Sequence, residues 1–239
     1  MFARIVGYNR LVITGSPAWT QASDDALLAE FSGPPSVENH RHVMALFHSL
    51  AGARIEGLKN LHPAYCSLLV VYDPLRWLPE ELIPELEQAA RGPASVPLPA
   101  RRVDIPVCCA SEFAPDLEPI AAGAGLTVKA AIEQLAAAVY HVAFLGFAPG
   151  FPYLLGLPPE LAAPRLARPR IRVPAGSLGI AGFQAGIYPA ETPGGWRLVG
   201  RTPWRLFDTS RQPMSLLLPG DEVRLHLIDA GRFEELAGL

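Results

Sequence analysis

The sequence predicts an α+β segment followed by a mainly-β part built as a closed barrel or sandwich. Three observations carry that reading. Proline and glycine supply 46 of 239 residues, about 19%, against an average sum of ~12%. Residues 24–107 alternate helical and strand periods, whereas 143–219 hold 12 prolines and 10 glycines between strand-length runs. Interior proline costs a helix ~3 kcal/mol, so a large helical bundle is excluded. At 50% hydrophobic and 18% charged residues, the chain is also too apolar and too weakly charged for bulk disorder.

In the first segment, 26–31 is a short apolar strand, and 36–50 places Val43, Leu46, Phe47 and Leu50 at helical spacing. Residues 54–58 form a candidate strand, and 66–72 (CSLLVVY) a stronger one, β-branched and aromatic. A helix follows over 79–91, with Glu80 and Glu81 in its first turn favouring the helix dipole. Residues 102–107 are again a strand, assignable to either side of the boundary. The resulting β-α-β-β-α-β order is the ferredoxin-like split βαβ pattern. The stretch 92–100 (GPASVPLPA) reads as a semi-rigid linker, which places the domains at 1–93 and 94–239.

Beyond the linker, 127–138 is an alanine-rich helix with Thr127 as its N-cap. Strand-length runs follow at 170–173, 178–181, 186–188, 196–200, 215–218 and 222–227; closing them into a barrel would remove exposed edges. Thr192-Pro193-Gly194-Gly195 fits a type II turn with Gly194 at positive φ. Period 2 puts Arg197 and Arg201 on one face of their strand and Arg168, Arg170 and Arg172 on one face of another. Two such faces make either an electropositive groove or a solvated outer surface. With about 5–6% of X–Pro bonds cis, roughly one or two cis bonds are expected, most of them in 143–219.

A net charge of −3 provides no basic field for nucleic acid. Local asymmetry exists, since 165–205 hold seven arginines and one acid, Glu191. Cys66, Cys108 and Cys109 lack metal-ligand spacing. His40 and His42 sit about 200° apart on a helix, so no metal is expected. MFARIVGYNR lacks the ~7–15-residue apolar stretch of a signal peptide, and no run reaches the ~18 residues of a membrane span; a reduced, cytoplasmic protein is expected. GxxxxGK[ST] and GxGxxG are absent, and Gly176-Ser177-Leu178-Gly179 is not a nucleophile elbow. His141, Tyr140, Tyr153 and Tyr188 read as packing groups, and no catalytic residue can be named. What the residues offer is an arginine-rich site suited to a small anion.

Residues 144–157 (FLGFAPGFPYLLGL), 164–190 (PRLARPRIRVPAGSLGIAGFQAGIYPA) and 192–208 (TPGGWRLVGRTPWRLFD) resemble the signature of the 5-oxoprolinase B-subunit family. That family is also called allophanate hydrolase subunit 1 and is related to the KipI inhibitor of a histidine kinase. The likeness extends through IPVCC, the Asp116-Leu117 turn, SDDALLAEF and HPAYCSLLVVYDP. It implies a ferredoxin-like domain followed by a cyclophilin-like barrel. It also implies an enzyme of several polypeptides that opens 5-oxo-L-proline to L-glutamate with ATP hydrolysis. In it this chain joins a barrel protein of the 5-oxoprolinase C-subunit type and a protein of the A-subunit type.

The signature positions give the candidate site: Arg170, Arg172, Ser177, Gln184, Tyr188, Arg197, Arg201 and Thr202 for a small anionic substrate. Phe147, Pro149, Gly150, Phe151, Pro193, Gly194, Gly195 and Trp196 are the candidate pocket loops. Three places depart from the family pattern. Leu135 replaces a usual histidine, Ala185 a threonine, and Cys109 an aromatic beside the 112–117 turn. Competing readings are a KipI-like regulatory module that binds a histidine kinase, part of an amidohydrolase for allophanate or another small amide, and a prolyl isomerase.

Overall fold

The computed structural model describes residues 16–91 and 100–238. The chain forms two compact units, Met1–Pro34 with Glu38–Pro97 and Pro35–Val37 with Leu98–Leu239. The 92–100 linker, apart from Ala100, and the amino-terminal MFARIVGYNR lie outside the described residues.

The first unit runs β1 (Ala18–Ser23), β2 (Ala26–Glu30), α1 (Val37–Ala53), β3 (Leu58–Pro63), β4 (Ser67–Tyr72) and α2 (Pro79–Arg91). Its antiparallel sheet has the order β1-β2-β4-β3. Leu68, Val70 and Tyr72 alternate onto the buried face of β4 and meet Val43, Leu46 and Leu50 of α1 and Leu82 and Leu86 of α2. That is the period-2 against period-3.6 match expected of helices on one sheet face.

The structure moves one expected strand and settles another that was open to either part. The strand placed at 54–58 begins instead at Leu58, because α1 runs on to Ala53 and Arg54 (φ 49°) and Gly57 (φ 90°) turn the chain. The strand at 102–107 is absent from this sheet. The place beside β2 belongs to β1, whose mostly exposed residues carry no alternating apolar signal.

The second unit runs β5 (Arg102–Cys108), α3 (Leu117–Gly123), α4 (Val128–Ala137), β6 (Val139–Leu145), β7 (Pro152–Leu155), β8 (Arg170–Val173), β9 (Ser177–Ala181), β10 (Gln184–Ile187), β11 (Thr192–Gly194), β12 (Arg197–Arg201), β13 (Glu222–Ile228) and α5 (Ala230–Ala237). Seven strands close a barrel in the order β10-β7-β6-β13-β5-β12-β9, and β8 and β11 form a separate ribbon. β5 pairs in parallel with β13, and Arg101 with Asp221 and Arg102 with Glu222 pin the two strands. The barrel is filled by Ile105, Val107, Tyr140, Val142, Leu154, Leu178, Ile180, Ile187, Val199, Val223 and Leu225. Thr127 caps α4 as expected, its Oγ1 accepting the Ala130 N–H at 3.1 Å.

The type II turn at 192–195 does not form. Residues 192–194 form β11 against β8, and Gly194 is not at positive φ. Residues 215–218 make no strand; only Ser215 bridges Phe207, while Leu217 is buried in the core. A cis peptide occurs at Gln212–Pro213, inside the proline-rich stretch.

Candidate functional site

Arg170 and Arg172 of β8, Ser177 of β9, Arg201 of β12 and the turn before α3 (Glu112, Phe113, Pro115) line a groove of about 200 Å³. The register explains the meeting. Arg201 stands opposite Ser177 in the β9–β12 pair, so both side chains leave the sheet at one level. Gly176 at φ 82° turns β8 into β9 where a Cβ would overlap the Thr202 carbonyl oxygen. Only glycine fits such a turn without strain.

The three guanidiniums are held differently. Arg172 donates from Nε to Glu191 at 2.8 Å, and both side chains are exposed. Arg170 places Nη2 3.0 and 2.9 Å from the two carboxylate oxygens of Asp116 and donates from Nη1 to the Trp196 carbonyl at 3.4 Å. Arg201 donates only from Nε, to the Ala175 carbonyl at 2.8 Å. Among the described residues no carboxylate lies within ion-pair distance of Arg201, and its Nη groups have no hydrogen-bond partner. The Nη edge is one of the planar faces through which a guanidinium takes a carboxylate bidentately. The Arg201 guanidinium also lies 5.9 Å from the ring centroid of Phe113 and 5.6 Å from that of Phe233. Glu112 brings to the same wall a carboxylate with no basic partner among the described residues.

Asp116 organises the groove from below. It occupies the N-cap position of α3 yet makes no side-chain cap. Its carboxylate turns to the barrel, accepts the Leu198 N–H at 2.7 Å and approaches Arg197 at 3.8 Å, while its own N–H donates to the Leu198 carbonyl at 3.1 Å. The β9–β12 register shifts between Leu198 and Gly200, and Asp116 supplies the partner that Leu198 takes there.

That shift also separates two arginines expected on one face. Arg197 donates to the Pro164 carbonyl at 3.2 Å and lines a different groove, with Glu160 and Ile120. Arg168 lies before β8, exposed. Gln184 stands opposite Ala181 at the turn end of the β9–β10 hairpin, about 13 Å along the strand from Ser177, and does not reach the groove. Thr202 is buried in the turn, accepting the Trp204 N–H at 3.2 Å and donating its N–H to Gly176.

Tyr188 is buried, and its ring meets Phe151 edge-on at 5.2 Å. Burial pushes its hydroxyl above the ordinary value, against a hydrogen bond from the Trp196 backbone and the charges of Arg165 and Arg170.

None of the eight candidate loop residues lines the groove. Phe151 and Trp196 pack with Tyr153 and Tyr188 in an aromatic cluster, joined to the groove through the Arg170–Trp196 hydrogen bond. Phe147, at φ 64° and 65% exposed, touches its edge. At Gly150 (φ 80°) an added Cβ would meet Phe207 at 2.7 Å, and at Gly194 it would meet the Tyr188 hydroxyl at 2.5 Å. Gly195 accepts the Leu166 N–H at 2.7 Å, whereas Pro149 and Pro193 are exposed.

The three departures are packing positions. Leu135 is buried and its carbonyl accepts the Tyr140 hydroxyl at 3.1 Å; Ala185 is buried in the same core. Cys109 packs against it, and burial pushes its thiol up to about 12. Among the described residues no three His, Cys, Asp or Glu side chains converge on a metal position, and no helix is long and apolar enough to cross a membrane.

Sequence reasoning does not single out Asp116, Phe113 or Phe233 for the site. An acid just before a helix signals an N-cap, and an aromatic in an amphipathic carboxy-terminal helix signals core.

The closed barrel with its side ribbon and arginine groove defines a class. Residues 17–217 match the family described as carboxyltransferase domain, subdomain C and D. The Kluyveromyces lactis urea amidolyase shares the fold, with a TM-score of 0.72 at 20% identity over 95% of this chain and 16% of that one. The chain belongs, within that class, to the 5-oxoprolinase B-subunit family. A relative of that name from Bacillus subtilis (strain 168) is 39% identical over 220 residues, 85% of this chain and 90% of the relative. The crystal structure of TTHA0988 is 37% identical with a TM-score of 0.74, over 86% of this chain; this chain spans only 40% of that longer one.

Proposed function

We propose that this chain is the B subunit of an ATP-dependent 5-oxoprolinase that converts 5-oxo-L-proline to L-glutamate. It acts with a barrel protein of the C-subunit type and a protein of the A-subunit type. The supporting observation is 39% identity across nine-tenths of a relative that bears the B-subunit name. The groove supplies matching chemistry. The open Nη edge of Arg201 takes the substrate carboxylate, a contact contributing on the order of 1.5–3 kcal/mol. Arg170 and Arg172 border the same anion, and Glu112 is an acceptor for the lactam N–H or for the ammonium of the opened product.

ATP is not assigned to this groove. At about 200 Å³ it falls below the ~300–1,000 Å³ of pockets for larger ligands, and the sequence has no P-loop. Nucleotide chemistry is therefore assigned to the assembled complex. We further read the first unit as a ferredoxin-like domain (1–93) in which β1 stands where the last strand would, and the second (94–239) as a cyclophilin-like barrel.

Two tests apply. Tagged protein isolated from its own cells should bring down a second barrel protein; recovery of a histidine kinase in its place would favour the regulatory reading. In the reconstituted complex Arg201→Ala should raise KM for 5-oxoproline about 10- to 100-fold, and an unchanged KM would remove Arg201 from the site.

A further inference from the structure

We propose that Phe113 and Phe233 are positioning residues that hold the Arg201 guanidinium ready for the carboxylate, so that the carboxy-terminal helix α5 sets the affinity of the groove. This rests on the reading of Arg201 given above. Arg201 is the last residue of β12, and its long side chain would sweep many rotamers if it were held only at the backbone. Three contacts confine it. Nε donates to the Ala175 carbonyl at 2.8 Å, and the guanidinium lies 5.9 and 5.6 Å from the Phe113 and Phe233 ring centroids. Those rings stack on each other at 4.3 Å, 30° from parallel, so they form one surface for the cation.

The surface is itself anchored. Phe233 is buried, and α5 is capped by Asp229, which accepts the Arg232 N–H at 2.7 Å. Phe113 sits in a turn closed by its own N–H on the Ala110 carbonyl at 2.8 Å. An arginine that has already lost its rotamer freedom forfeits less on binding an anion, and the ring quadrupoles favour its charged plane. The matched family region ends at residue 217, so α5 lies outside it and its role comes from the geometry alone.

The experiment measures KM and kcat for 5-oxoproline in the reconstituted complex with Phe233→Leu, Phe113→Leu, Phe233→Tyr and Arg201→Ala, with thermal unfolding of each chain. The leucines keep apolar volume and remove the π face; tyrosine keeps it. Each leucine variant should raise KM about five- to tenfold with kcat held within about twofold, and Phe233→Tyr should restore the wild-type KM. If Phe233→Leu does not assemble, Phe113→Leu, only part-buried, carries the comparison. A folded leucine variant with wild-type KM, beside a raised KM in Arg201→Ala, overturns the brace and leaves the oxoproline reading standing. An unchanged KM in Arg201→Ala overturns both the brace and the carboxylate assignment. Turnover that does not need this chain overturns the function itself.

Discussion

Replacing Asp116 by alanine removes two strong interactions of different kinds, besides the longer approach of Arg197 at 3.8 Å. The first is a charge-assisted hydrogen bond from the Leu198 N–H at 2.7 Å, worth about 1.5–3 kcal/mol, beside the register shift of the β9–β12 pair. The second is the ion pair with Arg170, whose side chain is 27% exposed; partial solvent access limits it to about 1 kcal/mol. Together they predict a loss of about 2.5–4 kcal/mol for Asp116→Ala. Asp116→Asn keeps an acceptor for Leu198 and should lose about 1 kcal/mol.

At ~2–4 °C per kcal/mol for a chain of this size, alanine should lower the barrel's midpoint by on the order of 10 °C. Because the chain has two compact units, the barrel's own transition must be followed, for which Trp196 and Trp204 serve as fluorescence reporters once Trp19 and Trp77 of the first unit are replaced by phenylalanine. An alanine variant within about 0.5 kcal/mol of wild type, the scatter of ordinary surface substitutions, would refute the reasoning, since the bulge would then not depend on the carboxylate.

Two more predictions concern the same unit. Gly176→Ala puts a Cβ into the Thr202 carbonyl at a φ of 82° and should cost about 3 kcal/mol or more; wild-type stability on chemical unfolding would contradict the turn as described. Cys108 is buried and the Cys109 thiol is pushed up to about 12 by burial. The thiolate needed for reaction is therefore scarce at pH 8, and titration of the native protein should find no more than one fast thiol, with three after unfolding. Two or three fast thiols in the native protein would contradict that burial.

What can be read from the sequence is mostly local. Helix α2 spans the residues expected from its first-turn acids, Glu80 and Glu81, and α4 starts at its threonine cap. β4 lies within the β-branched and aromatic run at 66–72. β6 and β7 escape such a reading because GFAPGFPY looks like loop, although Tyr140, Val142 and Leu154 point inward.

The placement of β5 depends on partners 120 residues away, as in the Arg102–Glu222 pair, and no local pattern reports that distance. At the site, the alternation on β8 and the family likeness together pick out Arg170, Arg172, Ser177 and Arg201, which do meet in the groove. The bulge at Leu198 then moves Arg197 elsewhere, since one added residue inverts every face downstream. Phe233 reaches Arg201 only through tertiary packing and leaves no mark in the pattern.

The most direct measurement is ATP-dependent release of L-glutamate from 5-oxo-L-proline by the three reconstituted proteins, with and without this chain. Turnover is expected when all three are present, with a loss to background when this one is omitted. Turnover that persists unchanged without it would contradict the assignment.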